Sequence, residues 1–338
     1  MRLTDRWRVL AAGRPGAPRD GGSSPDPPVP GGSPRAGPGP RPGRAFRHSA
    51  RRLGVALPFV LPSLAGVMVF LVVPVVIVLV LSFYQWNFLN PPHWAGFANF
   101  ATMTKDDHVF HALAVTAYYV LWNIPIQTAV ALGLAILLNR RLPGLGIFRA
   151  ACVLPYMSTP VAMAVVWSWI FNAQSGLINH LLLLIGVHGP DWLGSTSTAL
   201  PVVAMVSNWQ YAGYNMLFFL AGMQTIPVAL YEAASIDGAG PVKRFFRITL
   251  PLLNPTMLFV LVTDVIGSFQ IFDTVYVMTQ GGPGSATDVI NYQIYSTAFQ
   301  NFDVGSASAM SLLLFGVILV VTFLQFRFFR NRTTYEVS

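Results

Sequence analysis

Two stripes of polar residues interrupt otherwise apolar stretches of this chain. Ser207, Gln210, Tyr211 and Tyr214 follow i, i+3, i+4, i+7 spacing, which gathers them on one face of a helix. Asp264, Ser268 and Ile271 follow i, i+4, i+7, with Gly267 and Gln270 beside them. Hydroxyls, an amide and an acid can exchange hydrogen bonds with the hydroxyls of a ligand, and tyrosine rings offer a flat surface to its C–H face. That combination suits a polyhydroxylated solute held without any bond being broken. The alternative is that the same groups join helices to one another. Asp264 argues for more than glue, because an unpaired acid within a membrane span costs about 2.5–3.5 kcal/mol on insertion scales. It has no basic partner in any apolar stretch, so it is either protonated or hydrogen-bonded to a polar ligand, water or a partner chain. Asp273 lies nearer the outer end of its stretch and belongs at a solvated mouth.

The stretches that must position these residues define the protein class. Of 338 residues, 54% are apolar and 10% charged, with a mean hydropathy of +0.55. These values indicate an all-α integral membrane protein. A helix needs roughly 20 apolar residues to cross the hydrocarbon core. Six segments meet that length: 55–83, 112–138, 150–171, 199–223, 254–278 and 307–326. A seventh patch, 177–187, is too short and holds His180, so an external interfacial helix is expected there. Pro58, Pro62 and Pro74 should kink the first span and Pro125 the second, with neighbouring helices taking up the freed carbonyls.

Basic residues set the orientation. Eleven arginines fall within the first 52 residues, and Arg140, Arg141, Arg149, Lys243, Arg244, Arg247, Arg327, Arg330 and Arg332 all fall on that same side of a six-span arrangement. Only Lys105 lies opposite. Both termini are therefore expected on the cytoplasmic side of the membrane. The Pro/Gly/Arg-rich tail, 1–52, cannot bury enough apolar surface to order itself and reads as disordered. The apolar run after it is too long for a signal-peptide core and should stay as an anchor. The domain reading is thus a tail, a membrane domain over 53–330 and a short cytoplasmic end, 331–338.

Between the fourth and fifth spans lies a polar loop, 229–251, on the cytoplasmic side. Tyr231 to Ile236 are helix formers, Gly238 and Gly240 break them, and Pro241 suits the first turn of a second helix running to about Thr249. That helix should turn Phe245, Ile248 and Leu250 towards apolar neighbours and Lys243, Arg244 and Arg247 outward, with Pro251 stopping it. Glu232-Ala233-Ala234, three residues, Gly238, nine residues, then Ile248-Thr249-Leu250-Pro251 resembles the coupling-loop signature of bacterial ABC importer permeases. The external stretches "SFYQWNFLNPPHWAGFANF" and "MTQGGPGSATDVINYQIYSTAFQNFDVGSASAMSLLLF" are similar to those of the carbohydrate-uptake branch. Within it, the chain looks like the first of two non-identical permeases, the maltose type, though it lacks that model's extra N-terminal spans and large external domain.

The resemblance implies partners and roles. A second, homologous permease would complete a heterodimer, two ATP-binding subunits would supply energy, and an extracytoplasmic solute-binding protein would deliver a sugar. Glu232, Ala233, Ala234, Asp237, Gly238, Ile248, Leu250 and Pro251 would form the loop that docks in the ATP-binding subunit. Counted from that loop without a gap, Ser207, Gln210, Tyr211, Tyr214, Asp264, Ser268 and Ile271 match positions that contact sugar in the maltose-type permease. Only Tyr214 keeps the residue type.

Several classes find no support in the sequence. The two lysines, Lys105 and Lys243, are followed by Asp106 and Arg244, so there is no phosphate-binding Lys-Ser/Thr and ATP would be bound by partner subunits alone. Nothing recommends an enzyme, a cofactor or nucleic acid as partner. Asp106, Asp107, His108 and His111 look like a metal cluster on paper, but Asp at a helix start is an ordinary cap. Cys152 is the single cysteine. No Lys or Arg lies within a span, which favours a neutral carbohydrate over glycerol phosphate. Two rivals are a proton-coupled secondary transporter using Asp264, which predicts internal repeats not seen here, and a membrane scaffold without transport.

Overall fold

The computed structural model describes residues 60–140 and 143–330. The expectations for the tail, for 55–59, for Arg141 and for 331–338 lie outside the described residues. Chain contacts divide at Ser63, and the unit from Leu64 onward carries the site. Among the described residues four helices are long and apolar enough to cross a membrane: Val60–Leu81, Asp107–Leu138, Asn254–Met278 and Val304–Arg330. Two bent pairs raise the number to six, Leu145–Met157 with Pro160–Ile170 and Ala199–Gln224 with Val228–Ile236. In chain order these are the first to sixth spans, the fourth being Ala199–Gln224 with Val228–Ile236 bent away from it.

Proline does not act alike in each of them. In the first span a widened turn, Met68–Val72, closes a Val73 N–H to Met68 carbonyl bond just before Pro74. The wider turn absorbs the missing donor and the ring clash that proline brings to a regular helix. The same device recurs at Phe245–Thr249, where Leu250 N–H reaches the Phe245 carbonyl ahead of Pro251. Pro251 therefore does not stop its helix. The chain stays helical over Leu250–Leu252, and the fifth span begins at Asn254. Pro125 sits inside the unbroken second span.

The third span is where the sequence misleads most. Expected as one helix over 150–171, it is two helices meeting at 97°. Pro160 disfavours a helical conformation at the residue before it. Thr159 is accordingly extended, and its Oγ1 accepts from Ala162 N–H at 3.4 Å to start a new helix. Gly213 allows the first half to cross the fourth span closely, because a Cβ there would collide with the Cys152 carbonyl. The fifth span also breaks, at 270–272, into Asn254–Phe269 and Asp273–Met278.

Between the first and second spans, Tyr84–Gln85 and His93–Trp94 pair as a short antiparallel ribbon before a helix, Ala98–Met103. Asn99 Nδ2 donates to the Ser82 and Tyr84 carbonyls at 2.8 and 2.9 Å. A short helix, Leu177–Leu184, forms within the patch 177–187.

Two apolar clusters hold the bundle. One includes Tyr119, Val203, Val206, Val265 and Met310; the other includes Ala131, Met216, Phe219, Leu253 and Val260. On the fourth span the polar residues from Ser207 to Asn215 fall between the positions contributed to the two clusters, as do Gln127 on the second span and Asp264 on the fifth. Burial of the clusters thus clamps a polar layer between them.

A candidate solute cavity and a coupling knob

That layer opens into a cavity of about 220 Å³. Of the residues expected along a pathway, Ser207, Tyr211, Tyr214, Asp264, Ser268 and Ile271 line it, and Asp273 stands exposed at its wall. Gln210 does not. It is buried, and its Nε2 donates at 3.2 Å to the Ser158 carbonyl, a group freed by the bend in the third span. Non-helical backbone at membrane depth needs such a partner, so Gln210 braces the bend.

Asp264, 7% exposed, is held by amides of its own chain. Its Oδ1 accepts from Asn215 Nδ2 at 2.7 Å and from Gln127 Nε2 at 3.1 Å. Asn123 links the layer: its Nδ2 donates to Gln127 Oε1 and to Ser268 Oγ, each at 3.1 Å, and its Oδ1 accepts from Asn208 Nδ2 at 2.9 Å. Asp264 Oδ2 is buried and has no partner within the described chain. The opposite wall is aromatic. Tyr156, from the bent third span, stacks on Tyr214 with centroids 4.0 Å apart and meets Tyr211 edge-on at 5.8 Å. No Lys, Arg or His is among the lining residues.

Asn123, Gln127, Asn215 and Tyr156 were missed in the sequence. Asn123 and Gln127 are four apart on the second span, the same spacing that exposed the other stripes, but they flank Pro125, whose expected kink hid their shared face.

The loop between the fourth and fifth spans forms a knob. Its first helix, Val228–Ile236, leaves the fourth span at 69°. Gly238 ends it with φ of +71°, and the Ala239 N–H to Ala234 carbonyl bond of 2.8 Å completes a left-handed cap that only glycine adopts without strain. Pro241–Arg244 and the widened turn then lead to the fifth span. Tyr231 Oη and Thr249 Oγ1 lie 2.9 Å apart, and Arg244 donates to Ser235 Oγ at 2.8 Å. Arg244 thus folds back onto the knob, contrary to its expected outward aim. Ile248 and Leu250 are half-buried as expected, and Glu232, Ala233, Asp237, Gly238 and Pro251 are exposed. Ile236 and Phe246 are 88% and 60% exposed.

Residues 42–334 match the model of the family described as "Binding-protein-dependent transport system inner membrane component". The chain belongs to this family. It is thus a membrane component of an ABC importer, built as a permease. Over 274 residues it is 36% identical to the probable ABC transporter permease protein YesP of Bacillus subtilis, covering 80% of this chain and 88% of that one. It is 36% identical to the sn-glycerol-3-phosphate transport system permease protein UgpA of Yersinia enterocolitica, with 82% and 94% covered. The trehalose/maltose transport system permease protein MalF of Thermococcus litoralis is 33% identical, with 85% and 97% covered. Among solved structures, a chain of a bacterial ABC transporter that imports the acidic polysaccharide alginate matches with a TM-score of 0.73 at 23% identity, covering 86% of this permease and all of that chain. That likeness concerns the fold.

Proposed function

We propose that this permease is half of the membrane pathway of an ATP-driven importer of a neutral sugar. One observation carries the reading: the fourth and fifth spans both line the polar cavity, and the same two spans are joined by the knob. A push on the knob therefore reaches the cavity wall through two helices. Bare apolar side chains on the knob favour a protein surface as its receiver. ATP-binding subunits would dock there, on Glu232 through Gly238 and Ile248 through Pro251, and would bind all of the nucleotide. A second, homologous permease would complete the pathway. An extracytoplasmic solute-binding protein would deliver the cargo, and both termini would lie in the cytoplasm.

ATP then acts by binding the inward- and outward-facing states with different affinity. In the cavity, the free Asp264 oxygen accepts a hydroxyl of the solute, Ser207 and Ser268 exchange further hydrogen bonds, and the tyrosines meet its C–H face. The relative named for glycerol 3-phosphate makes that anion a second reading. Two lining carboxylates without a lining cation weigh against it. Reconstitution with the partner subunits tests the proposal. Uptake should need ATP on the knob side and binding protein on the other, should ignore a proton uncoupler, and should be competed by neutral sugars and not by glycerol 3-phosphate. Uncoupler-sensitive uptake without ATP would overturn it.

A further inference from the structure

Aromatic rings leave the cavity in an unbroken row. Phe272, at the break of the fifth span, lines the cavity. Its ring stacks on Tyr276 with centroids 5.3 Å apart and meets Tyr295 at 5.1 Å, and those two tyrosines pack edge to face at 5.2 Å. From Tyr295 the row passes to Phe299 at 5.4 Å, to Phe88 at 6.3 Å and to Trp86 at 4.9 Å. Three separate parts of the chain supply it: the fifth span, the helix Ile290–Tyr295 with the widened turn Ser296–Gln300, and the link between the first two spans. The row lies at the end of the fifth span away from the knob.

The rings are not spent on a core. Tyr276, Phe299 and Phe88 are 37%, 59% and 45% exposed. Phe88 has φ of +60°, a left-handed backbone that is unfavourable for a bulky side chain. Asn87 Oδ1 holds the turn by accepting from Leu89 N–H and Asn90 N–H at 3.3 and 2.9 Å, and Val304 N–H donates to the Trp86 carbonyl at 3.0 Å. The chain thus bears a conformational cost to set the Phe88 ring on Phe299. Exposed polar residues adjoin the rings in sequence, Asp273 after Phe272 and Gln300 and Asn301 after Phe299. An aromatic belt at a membrane surface follows the lipid boundary. This row starts instead at a wall of the cavity, and Asn291 Nδ2 ties the helix bearing Tyr295 to the Gln270 carbonyl there at 2.8 Å.

We propose that the row is a carbohydrate track: an oligosaccharide lies across Phe88, Phe299, Tyr295 and Tyr276 while its leading end enters the cavity at Phe272. The proposal rests on the sugar reading above and narrows it from sugars in general to chains of them. Exposed ring faces pack against the C–H faces of successive sugars, and Asp273, Gln300 and Asn301 meet hydroxyls at the edges. A single sugar has no use for a surface of this length. The cavity, at about 220 Å³, falls below the roughly 300–1,000 Å³ of common small-ligand sites, so it takes the end of a chain while the track carries the rest.

Uptake by the complete transporter in proteoliposomes, with binding protein and ATP, tests this on α- and β-linked glucose and mannose chains of increasing length. Wild-type uptake should favour chains over the single sugar. Phe299→Leu and Phe88→Leu each remove a ring and keep an apolar surface. Each should lower uptake of the longest transported chain about threefold to tenfold, with the loss fading as the chain shortens. Phe299→Tyr keeps a ring face and should match wild type. Equal losses at every length, as a docking face for the binding protein would give, would overturn the track. So would the absence of any loss, as a lipid-facing belt would give, or uptake confined to single sugars; in these cases the sugar reading survives. No ATP-driven uptake of any sugar or chain would sink both.

Discussion

Replacing Asn215 by leucine isolates what holds Asp264. The change removes the 2.7 Å bond to Oδ1 and leaves the 3.1 Å bond from Gln127 as its remaining amide donor. Hydrogen bonds to charged groups contribute about 1.5–3 kcal/mol, and a buried charge that loses one is penalised further. At about 1.4 kcal/mol per factor of ten, ATP-driven uptake should fall roughly tenfold to a hundredfold. Thermal unfolding in detergent should move in the same direction. The decisive control is a double-mutant cycle. Asp264→Leu combined with Asn215→Leu deletes both partners, which can be nearly neutral for stability. The double variant should therefore be more stable than the sum of the single changes, with a coupling of about 1 kcal/mol or more. Uptake would stay low in it, since the acceptor is gone. Strict additivity, together with wild-type uptake in Asn215→Leu, would refute the claim that this amide positions the acid.

Other predictions follow from neighbouring contacts. Gln210→Ala strips the partner from the Ser158 carbonyl and should cost about 1–3 kcal/mol of stability in unfolding experiments, with reduced uptake as a secondary effect. Tyr156→Ala should lower uptake severalfold, whereas Tyr156→Phe keeps the stack on Tyr214 and should stay close to wild type, because aromatic pairs contribute about 0.5–1.5 kcal/mol beyond burial. Gly238→Val forces a branched side chain to φ of +71° and should abolish ATP-driven uptake while leaving the chain inserted; normal uptake would remove the knob from the mechanism. Glu232→Lys, at an exposed position, should uncouple uptake from ATP hydrolysis with an unchanged unfolding temperature.

Much of this was legible in the residues. The apolar runs marked where the spans lie, since that pattern answers directly to the bilayer. Gly238 and Pro241 marked the knob because left-handed backbone and helix starts demand those residue types. The break at Thr159 was signalled by Ser-Thr-Pro, a cap followed by a first-turn proline, yet the surrounding hydropathy masked it. Pro251 misled in the opposite sense, as a widened turn can absorb a proline and no residue pattern announces one. The cavity's location was legible from helical spacing, but its far wall was not. Asn215 and Gln127 reach Asp264 across 49 and 137 residues of chain, and only the packed bundle decides which amide meets which acid.

The length of the second span has a consequence for the journey of a solute. At 1.5 Å per residue, Asn123 lies about 24 Å from the helix start at Asp107 and about 22 Å from its end at Leu138. A cargo resting against Asn123's neighbours is thus nearly as far from one exit as from the other. Neither direction offers a shortcut, and the choice of exit falls to whichever end of the bundle parts.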